Sequence, residues 1–516
     1  MRVKKAIINI VVGGVGTLFS GVLLFVSRII FVQFLSDEYL GISSLLTNIL
    51  SILSMAELGI GTAIGFSLYE PLAEGDKERI KSIMHFLKRI YFLIGFVIMA
   101  VGTVLLPFLP WLAKGTTDLV DLNLIYMLYV VQSASSYWFW AYKSILLRAD
   151  QKLYLVNFYQ VIINFLVTAV QLVTLAMFRD FLLYSVIGLL SNVLINISVS
   201  ITVDRVYPFI KDSNYKTLQK NEKKHIFKDV FGMALFKVNT TIVNSTDNIL
   251  ISAFIHVKVV ALYGNYQTII YGISQIAMQL FAGVTATIGN LFVEESEEKS
   301  EFVFRCIQLL CYWFYSFVGI GILVLINPVI QTFFGKERTF STDLVFLQVL
   351  YFMINGFQRT SFIYRDACGL FWKGKMRPVM TAVLNITISI VLVVRIGLAG
   401  VILGTILSWL LTTWWYDPVL IYRSVFKMPV RNYFYAYGKA VFVTLIMGAV
   451  TVWLTTVIPF GGIGGFAARC FVAVLIPNTG YFLFYHKTAE FGYLKEILLN
   501  EYKKVVCKYR ERTRRT

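Results

Sequence analysis

The feature that most constrains this chain is the recurrence, from one end to the other, of long apolar stretches with almost no charge. A stretch of about 18 residues or more crosses a hydrocarbon layer of roughly 30 Å as a helix. In lipid, backbone polar groups are satisfied only within helices or closed barrels. Fourteen such segments can be placed, near 6–35, 41–69, 83–112, 119–146, 154–178, 181–204, 228–256, 259–293, 303–334, 343–368, 378–395, 398–422, 433–458 and 463–486. Only 15% of residues are charged, against about 25% in soluble domains. The expected fold class is therefore all-α: a polytopic membrane protein of about 14 transmembrane helices, in two six-helix lobes plus two extra helices. The first segment is longer than a signal-peptide core, and no small-residue cleavage site follows it, so it is expected to be a retained helix.

Charge sets the expected orientation. Of the 47 Lys and Arg, 36 fall in the N-terminal segment, in every second loop and in the tail, and six fall in the intervening loops. Cytoplasmic loops carry such an excess, so both termini are expected inside. The same distribution accounts for the net charge of +18 without nucleic acid. The basic tail is expected to lie against anionic membrane lipids.

The loop 205–228 holds seven of those cations and divides six segments from eight. Short echoes link the two parts. Arg28 precedes Tyr39-Leu40-Gly41 as Asp247 precedes Leu262-Tyr263-Gly264. Leu147-Arg148-Ala149-Asp150 and Asn164 return as Tyr364-Arg365-Asp366-Ala367 and Asn385. Two parallel repeats produce such echoes. The expected division is an N-terminal lobe 1–206, a cytoplasmic linker 207–227, a C-terminal lobe 228–424, additional helices 425–486 and a basic tail 487–516.

No metal-ligand spacing links the five cysteines or the four histidines, and no phosphate loop or catalytic triad spacing occurs. Gly59 and Gly61 sit in an apolar helix, where small residues permit close packing. No catalytic residue, metal or cofactor is expected, beyond H⁺ or Na⁺ as a coupling ion. An enzyme such as a membrane glycosyltransferase would need a large loop with acidic residues; the longest loop here is basic.

The ionisable residues placed within helices carry the chemistry. Each costs about 2.5–3.5 kcal/mol at mid-membrane, so five would cost roughly 12–17 kcal/mol against lipid. They must face one another or water. Glu57 lies about 22 Å into the second segment at 1.5 Å per residue; it either binds a coupling ion or partners a neighbouring cation. Arg28 can grip phosphate bidentately or pair with Asp247 at similar depth. Lys237 lines a cavity or snorkels. Asp247 sits among Asn244, Thr246 and Asn248, a polar belt that suggests a cavity wall and a second ion candidate. Arg359, with Asn355 and Gln358, is a cavity cation. Arg28, Lys237 and Arg359 against Glu57 and Asp247 make the expected cavity cationic, which suits a diphosphate and not an organic cation. Arg148, Arg365 and Asp366 are expected at the inner mouth, the last two as a solvated pair. Lys439 and Arg469 are expected to snorkel.

Three motifs then carry a resemblance. They are Ala56-Glu57-Leu58-Gly59-Ile60-Gly61-Thr62-Ala63 leading to Tyr69-Glu70-Pro71-Leu72-Ala73; Thr246-Asp247-Asn248-Ile249-Leu250-Ile251-Ser252; and Gly369-Leu370-Phe371-Trp372-Lys373-Gly374-Lys375-Met376-Arg377-Pro378, followed by Asn385 and by the run Gly397 to Thr405. In this order, over about residues 5–486, the chain resembles Wzx-type polysaccharide flippases. These belong to the multidrug/oligosaccharidyl-lipid/polysaccharide exporter superfamily, with the MATE drug exporters and the lipid II flippases. The resemblance implies a two-lobed bundle with a V-shaped cavity in a bacterial inner membrane. It implies transport of an undecaprenyl-diphosphate-linked oligosaccharide from the cytoplasmic to the outer leaflet, alongside glycosyltransferases and a polysaccharide polymerase. A lipid II flippase and a MATE-like cation/drug antiporter are the alternatives.

Overall fold

The computed structural model describes residues 2–57, 60–115, 121–212, 215, 218, 222, 241–243, 245–294, 296–368, 370, 373–457, 462–497 and 499. Every regular element among them is helical, so the protein is an all-α, multi-pass membrane protein. In chain order the helices begin with α1 (Arg2–Phe34), α2 (Asp37–Leu53), α3 (Ile60–Ser67), α4 (Tyr69–Glu74), α5 (Lys77–Leu105) and α6 (Leu109–Leu112). They continue with α7 (Leu122–Trp138), α8 (Lys143–Ala149), α9 (Leu153–Phe178), α10 (Phe181–Val206), α11 (245–250) and α12 (Val257–Glu294). The last are α13 (Glu297–Phe334), α14 (Thr342–Phe357), α15 (Arg359–Ala367), α16 (Met376–Ile396), α17 (Leu398–Leu411), α18 (Thr413–Ile421), α19 (Arg431–Val457) and α20 (Gly462–Tyr485).

Local chemistry starts several of these helices. The carboxylates of Asp76, Asp121 and Asp180 accept backbone N–H bonds from the first turns of α5, α7 and α10, and the Ser296 hydroxyl does so for α13. Each cap satisfies donors that the helix itself cannot. Outward faces are apolar: on α9 only Val156, Val167 and Leu175 are buried, while Val173, Met177 and Phe178 are exposed. Nine helical stretches among the described residues are long and apolar enough to span a membrane.

Four expected spans differ from the sequence-based picture in being interrupted away from any proline, one of them, 398–422, at Thr412 between α17 and α18. Segment 41–69 breaks after α2 into a 3₁₀ turn, Ser54–Glu57, before α3. Segment 119–146 breaks between α7 and α8, where Trp140 has φ +58°. Segment 343–368 breaks at Gln358, between α14 and α15. No proline lies at any of the breaks, so hydropathy runs straight through them. Irregular backbone at membrane depth is tolerated only where protein or water satisfies it. At the first break the Leu50 carbonyl accepts both the Ser54 backbone N–H and, at 2.8 Å, its Oγ. The expected span 228–256 lies mostly outside the described residues.

The chain forms two compact units, Met1–Leu280 with Lys375–Ser408, and Phe281–Gly374 with Trp409–Thr516. The first has two buried clusters. One joins Ile64 and Leu68 to Ile83, Leu87, Leu146 and Val203. The other joins Leu45 and Leu46 to Ile125, Tyr126, Val257 and Ala261. Here α2 meets the start of α12 backbone to backbone: a Cβ on Gly41 would lie 2.1 Å from the Val257 carbonyl oxygen. Close approach of this kind is how helices associate where lipid is as apolar as leucine. The second unit is built around aromatic rings. Phe304 packs on Tyr364, Tyr422, Phe426 and Tyr433 at centroid distances of 4.9, 5.8, 5.4 and 6.2 Å.

Candidate functional site

The first unit holds three polar clusters inside its helical core. In the first, Arg28 extends from α1 to the opening turns of α12. Its Nε donates to Asn265 Oδ1 at 2.9 Å, and its Nη2 donates to the Ala261 carbonyl at 3.0 Å. Residues 261 and 265 are one turn apart on one helix face. Gly264 lies between them; a Cβ there would stand 2.7 Å from Nη2, so the tip of Arg28 would have to shift. Asn265 is fully buried, and its Nδ2 has no partner. Arg28 forms no ion pair among the described residues; Asp37 is the carboxylate whose field reaches it. A guanidinium has five N–H donors, and these contacts use two.

In the second cluster, Asp247 is 9% exposed and lies next to no cation among the described residues. Thr405 Oγ1 donates to its Oδ1 at 3.1 Å, and the Tyr263 hydroxyl to its Oδ2 at 3.4 Å. Asn385 Nδ2 donates to the same Thr405 hydroxyl at 2.9 Å. The Asn385 Oδ1 is buried without a partner, and the Val401 carbonyl lies 3.3 Å from Thr405 Oγ1. The result, among the described residues, is an oxygen-rich pocket with one carboxylate and no positive side chain. Burying such a carboxylate is costly unless a proton or a cation accompanies it. Hard cations take oxygen ligands of this type. Among the described residues, no three His, Cys, Asp or Glu side chains form a metal cluster.

In the third cluster, Glu57 ends the 3₁₀ turn. The Tyr91 hydroxyl donates to its Oε1 at 2.5 Å, and the Tyr137 hydroxyl to its Oε2 at 2.9 Å. The two tyrosines come from α5 and from the end of α7, beside the second helix break. Glu57 thus ties two interrupted spans together through neutral donors. Arg148 is exposed, and its charge reaches Tyr91.

The second unit treats its arginines in two ways. Arg359 opens α15, and its Nε is buried without a hydrogen-bond partner. Beside it, Gln358 is fully buried with both amide atoms unpartnered. Arg365 is instead clamped: Nη1 lies 3.0 Å from Asp417 Oδ2, and Nη2 lies 2.8 Å from Asp366 Oδ1. Asp417 is fully buried. The expected solvated pair of Arg365 and Asp366 is therefore a three-member group, with Asp417 as the buried partner that sequence reasoning missed.

Against the sequence-based candidates, the structure separates Arg28 from Asp247. They sit on opposite sides of one element: Ala261 and Asn265 of α12 hold the cation, and Tyr263 of α12 touches the carboxylate. Lys237 and Asn244 lie outside the described residues. The partners Asn265, Tyr263, Thr405, Tyr91 and Asp417 escaped sequence reasoning, although Tyr263 and Thr405 fall within runs already noted for repetition or resemblance.

No protein-family model matches the chain, and no curated protein matches it in sequence. Solved structures do match in fold. One is a lipid II flippase, MurJ, in an inward closed conformation, with a TM-score of 0.66 at 16% identity over 92% of this chain and 98% of that one. Another is a multidrug resistance MATE family transporter of the MOP superfamily in an inward-facing conformation, with a TM-score of 0.64 at 15% identity over 79% of this chain and 94% of that one. A further MATE structure, in complex with MaD3S, has a TM-score of 0.54 at 14% identity over 81% of this chain and 96% of that one. At these identities the shared property is the fold, and the chain has the fold of these membrane transporters.

Proposed function

We propose that this protein is a flippase that carries an undecaprenyl-diphosphate-linked oligosaccharide from the inner to the outer leaflet of a bacterial cell membrane, by ion-coupled alternating access, for surface polysaccharide synthesis. One observation carries this proposal. Arg28 is a half-buried guanidinium held in place by neutral oxygens, with three of its five N–H donors left over. A diphosphate is the ligand such a group fits, because the planar fork binds phosphate oxygens in pairs. In the second unit, Arg359 is likewise without an ion pair among the described residues. A cavity for organic cations would need the opposite sign.

Asp247 supplies the coupling step in this scheme. A proton or Na⁺ on its carboxylate changes the Tyr263 contact, and α12 relays that change to Asn265, which aims Arg28. Effector and cargo would thus bias one element from its two sides, as coupling requires.

The test is transfer of a fluorescent diphosphate-linked glycolipid in proteoliposomes, with lipid II and an organic cation as competing cargoes. Flipping of the oligosaccharide lipid, reduced by Arg28→Ala combined with Arg359→Ala, supports the proposal. Transport of lipid II or of the organic cation in its place selects one of the alternatives. Undiminished flipping by the folded double variant removes the role given to the two arginines.

A further inference from the structure

A cavity of about 380 Å³ opens in the second unit between α13, α19 and α20, and its walls include Arg305, Gln308, Tyr312, Lys439, Tyr485 and Glu490. None of these residues has a part in the transport scheme. The cavity lies near the helix ends that carry Arg431 and Lys487, the end that the charge distribution assigns to the inner face.

Its charges are unevenly engaged. Arg305 is occupied by two carboxylates: Nε lies 3.0 Å from Glu301 Oε2, and Nη1 lies 2.7 Å from Glu490 Oε1. Lys439 has no carboxylate partner among the described residues. Its Nζ sits 4.5 Å from the centre of the Tyr485 ring and donates only to the Phe484 carbonyl, at 3.4 Å. Lysine snorkelling alone does not describe it, because the amine is folded onto a ring at the cavity wall. Tyr485 is 8% exposed, and its hydroxyl is buried with no partner. The Tyr312 hydroxyl accepts from Gln308 at 2.5 Å, which leaves its own proton to donate. Glu490 uses Oε1 on Arg305, and its Oε2 accepts no hydrogen bond among the described residues.

The cavity therefore presents an unpaired ammonium with phenolic donors on one side and a half-used carboxylate on the other. Arg305 and Lys439 balance Glu301 and Glu490, so the site is neutral as a whole. A bare anion would meet Glu490, and a bare cation would meet Lys439. A zwitterion with a phosphate and a primary ammonium meets neither repulsion. Lys439 lies eight residues into α19, about 12 Å along the axis, within reach of the head-group layer for a lysine stem. Tyr435, on the cavity rim, is 78% exposed, as interfacial aromatic rings are.

We propose that this cavity seats the head group of an ethanolamine phospholipid, with the phosphodiester on Lys439 and the Tyr485 hydroxyl and the ammonium on Glu490. The bound lipid would then join α13, α19 and α20 at one end.

Native mass spectrometry of the delipidated full chain tests this, with phosphatidylethanolamine, phosphatidylcholine, phosphatidylglycerol and inorganic phosphate each added at equal concentration. Phosphatidylcholine keeps the phosphate but cannot donate a hydrogen bond to Glu490. Phosphatidylglycerol and free phosphate lack the ammonium. One retained copy of phosphatidylethanolamine, in preference to all three others, is expected. Tyr485→Phe removes a hydroxyl that nothing in the protein bonds, so the melting temperature of the lipid-free protein stays unchanged while retention falls about fivefold. Lys439→Gln lowers retention about tenfold. Equal retention of the three lipids, preference for phosphatidylglycerol or free phosphate, or wild-type retention by both folded variants overturns the proposal.

Discussion

Arg28 and Arg365 are the same side chain used in opposite ways. Arg365 sits between Asp417 and Asp366, so its charge is cancelled within the protein. Arg28 is held by a carboxamide and a backbone carbonyl, so its orientation is fixed and its charge is not cancelled. An arginine between carboxylates holds helices together; removing one partner of such a buried pair leaves an uncompensated charge. An arginine between neutral oxygens costs the fold desolvation and gains little in return. Such a cost is understandable where a ligand supplies the missing anion. Position in a hydropathy profile does not distinguish the two; the partners do.

The largest expected effect follows from that contrast. Arg28→Ala should lower glycolipid flipping in proteoliposomes by about 100-fold, the loss of one or two charge-assisted bonds to the cargo. Its melting temperature should fall less than that of Asp417→Asn, because the side chain makes two hydrogen bonds and no ion pair among the described residues. Asp417→Asn should do the reverse. It should cost about 3 kcal/mol of stability, seen as a fall in melting temperature, while the flipping rate per folded molecule stays near wild type. If the two variants behave alike in both assays, the contrast between the arginines fails.

Arg28→Lys sharpens the comparison by keeping the charge and losing the fork. Flipping should fall about tenfold, since a point charge replaces a bidentate donor. Asp247→Asn keeps the contact with Thr405 and removes the charge that a proton or Na⁺ would balance. Flipping should then no longer respond to an imposed H⁺ or Na⁺ gradient, while the rate without a gradient is retained. Gly264→Ala should have the smallest effect. The new Cβ displaces the tip of Arg28, a flexible group, so flipping should fall about threefold with the fold intact.

How much of this was legible in the sequence depends on the kind of contact. Fold class followed from the apolar segments, because bilayer thickness sets one length scale for them all. Helix starts at Asp76, Asp121 and Asp180 follow a local rule of capping. The breaks at Ser54–Glu57, Trp140 and Gln358 were not legible, since no glycine or proline stands at the breaking residues and tertiary contacts decide them. Arg28, Glu57, Asp247 and Arg359 stood out because a charge in an apolar run is expensive wherever it points. Their partners did not stand out. Asn265, Thr405, Tyr91 and Tyr137 are common residues in membrane helices, and only the folded chain brings Thr405 to Asp247 across 158 positions. Asp417 is itself a charge in an apolar segment and met the same criterion; what the sequence hid was its pairing with Arg365 across 52 positions.

The most direct test of the central claim is the affinity of the purified protein for undecaprenyl diphosphate and for undecaprenol, measured in wild type and in Arg28→Gln. The account predicts that wild type binds the diphosphate at least about 100-fold more tightly than the alcohol, and that most of this difference disappears in Arg28→Gln. An equal preference for the diphosphate in both proteins would contradict the account, because the anion would then be recognised elsewhere.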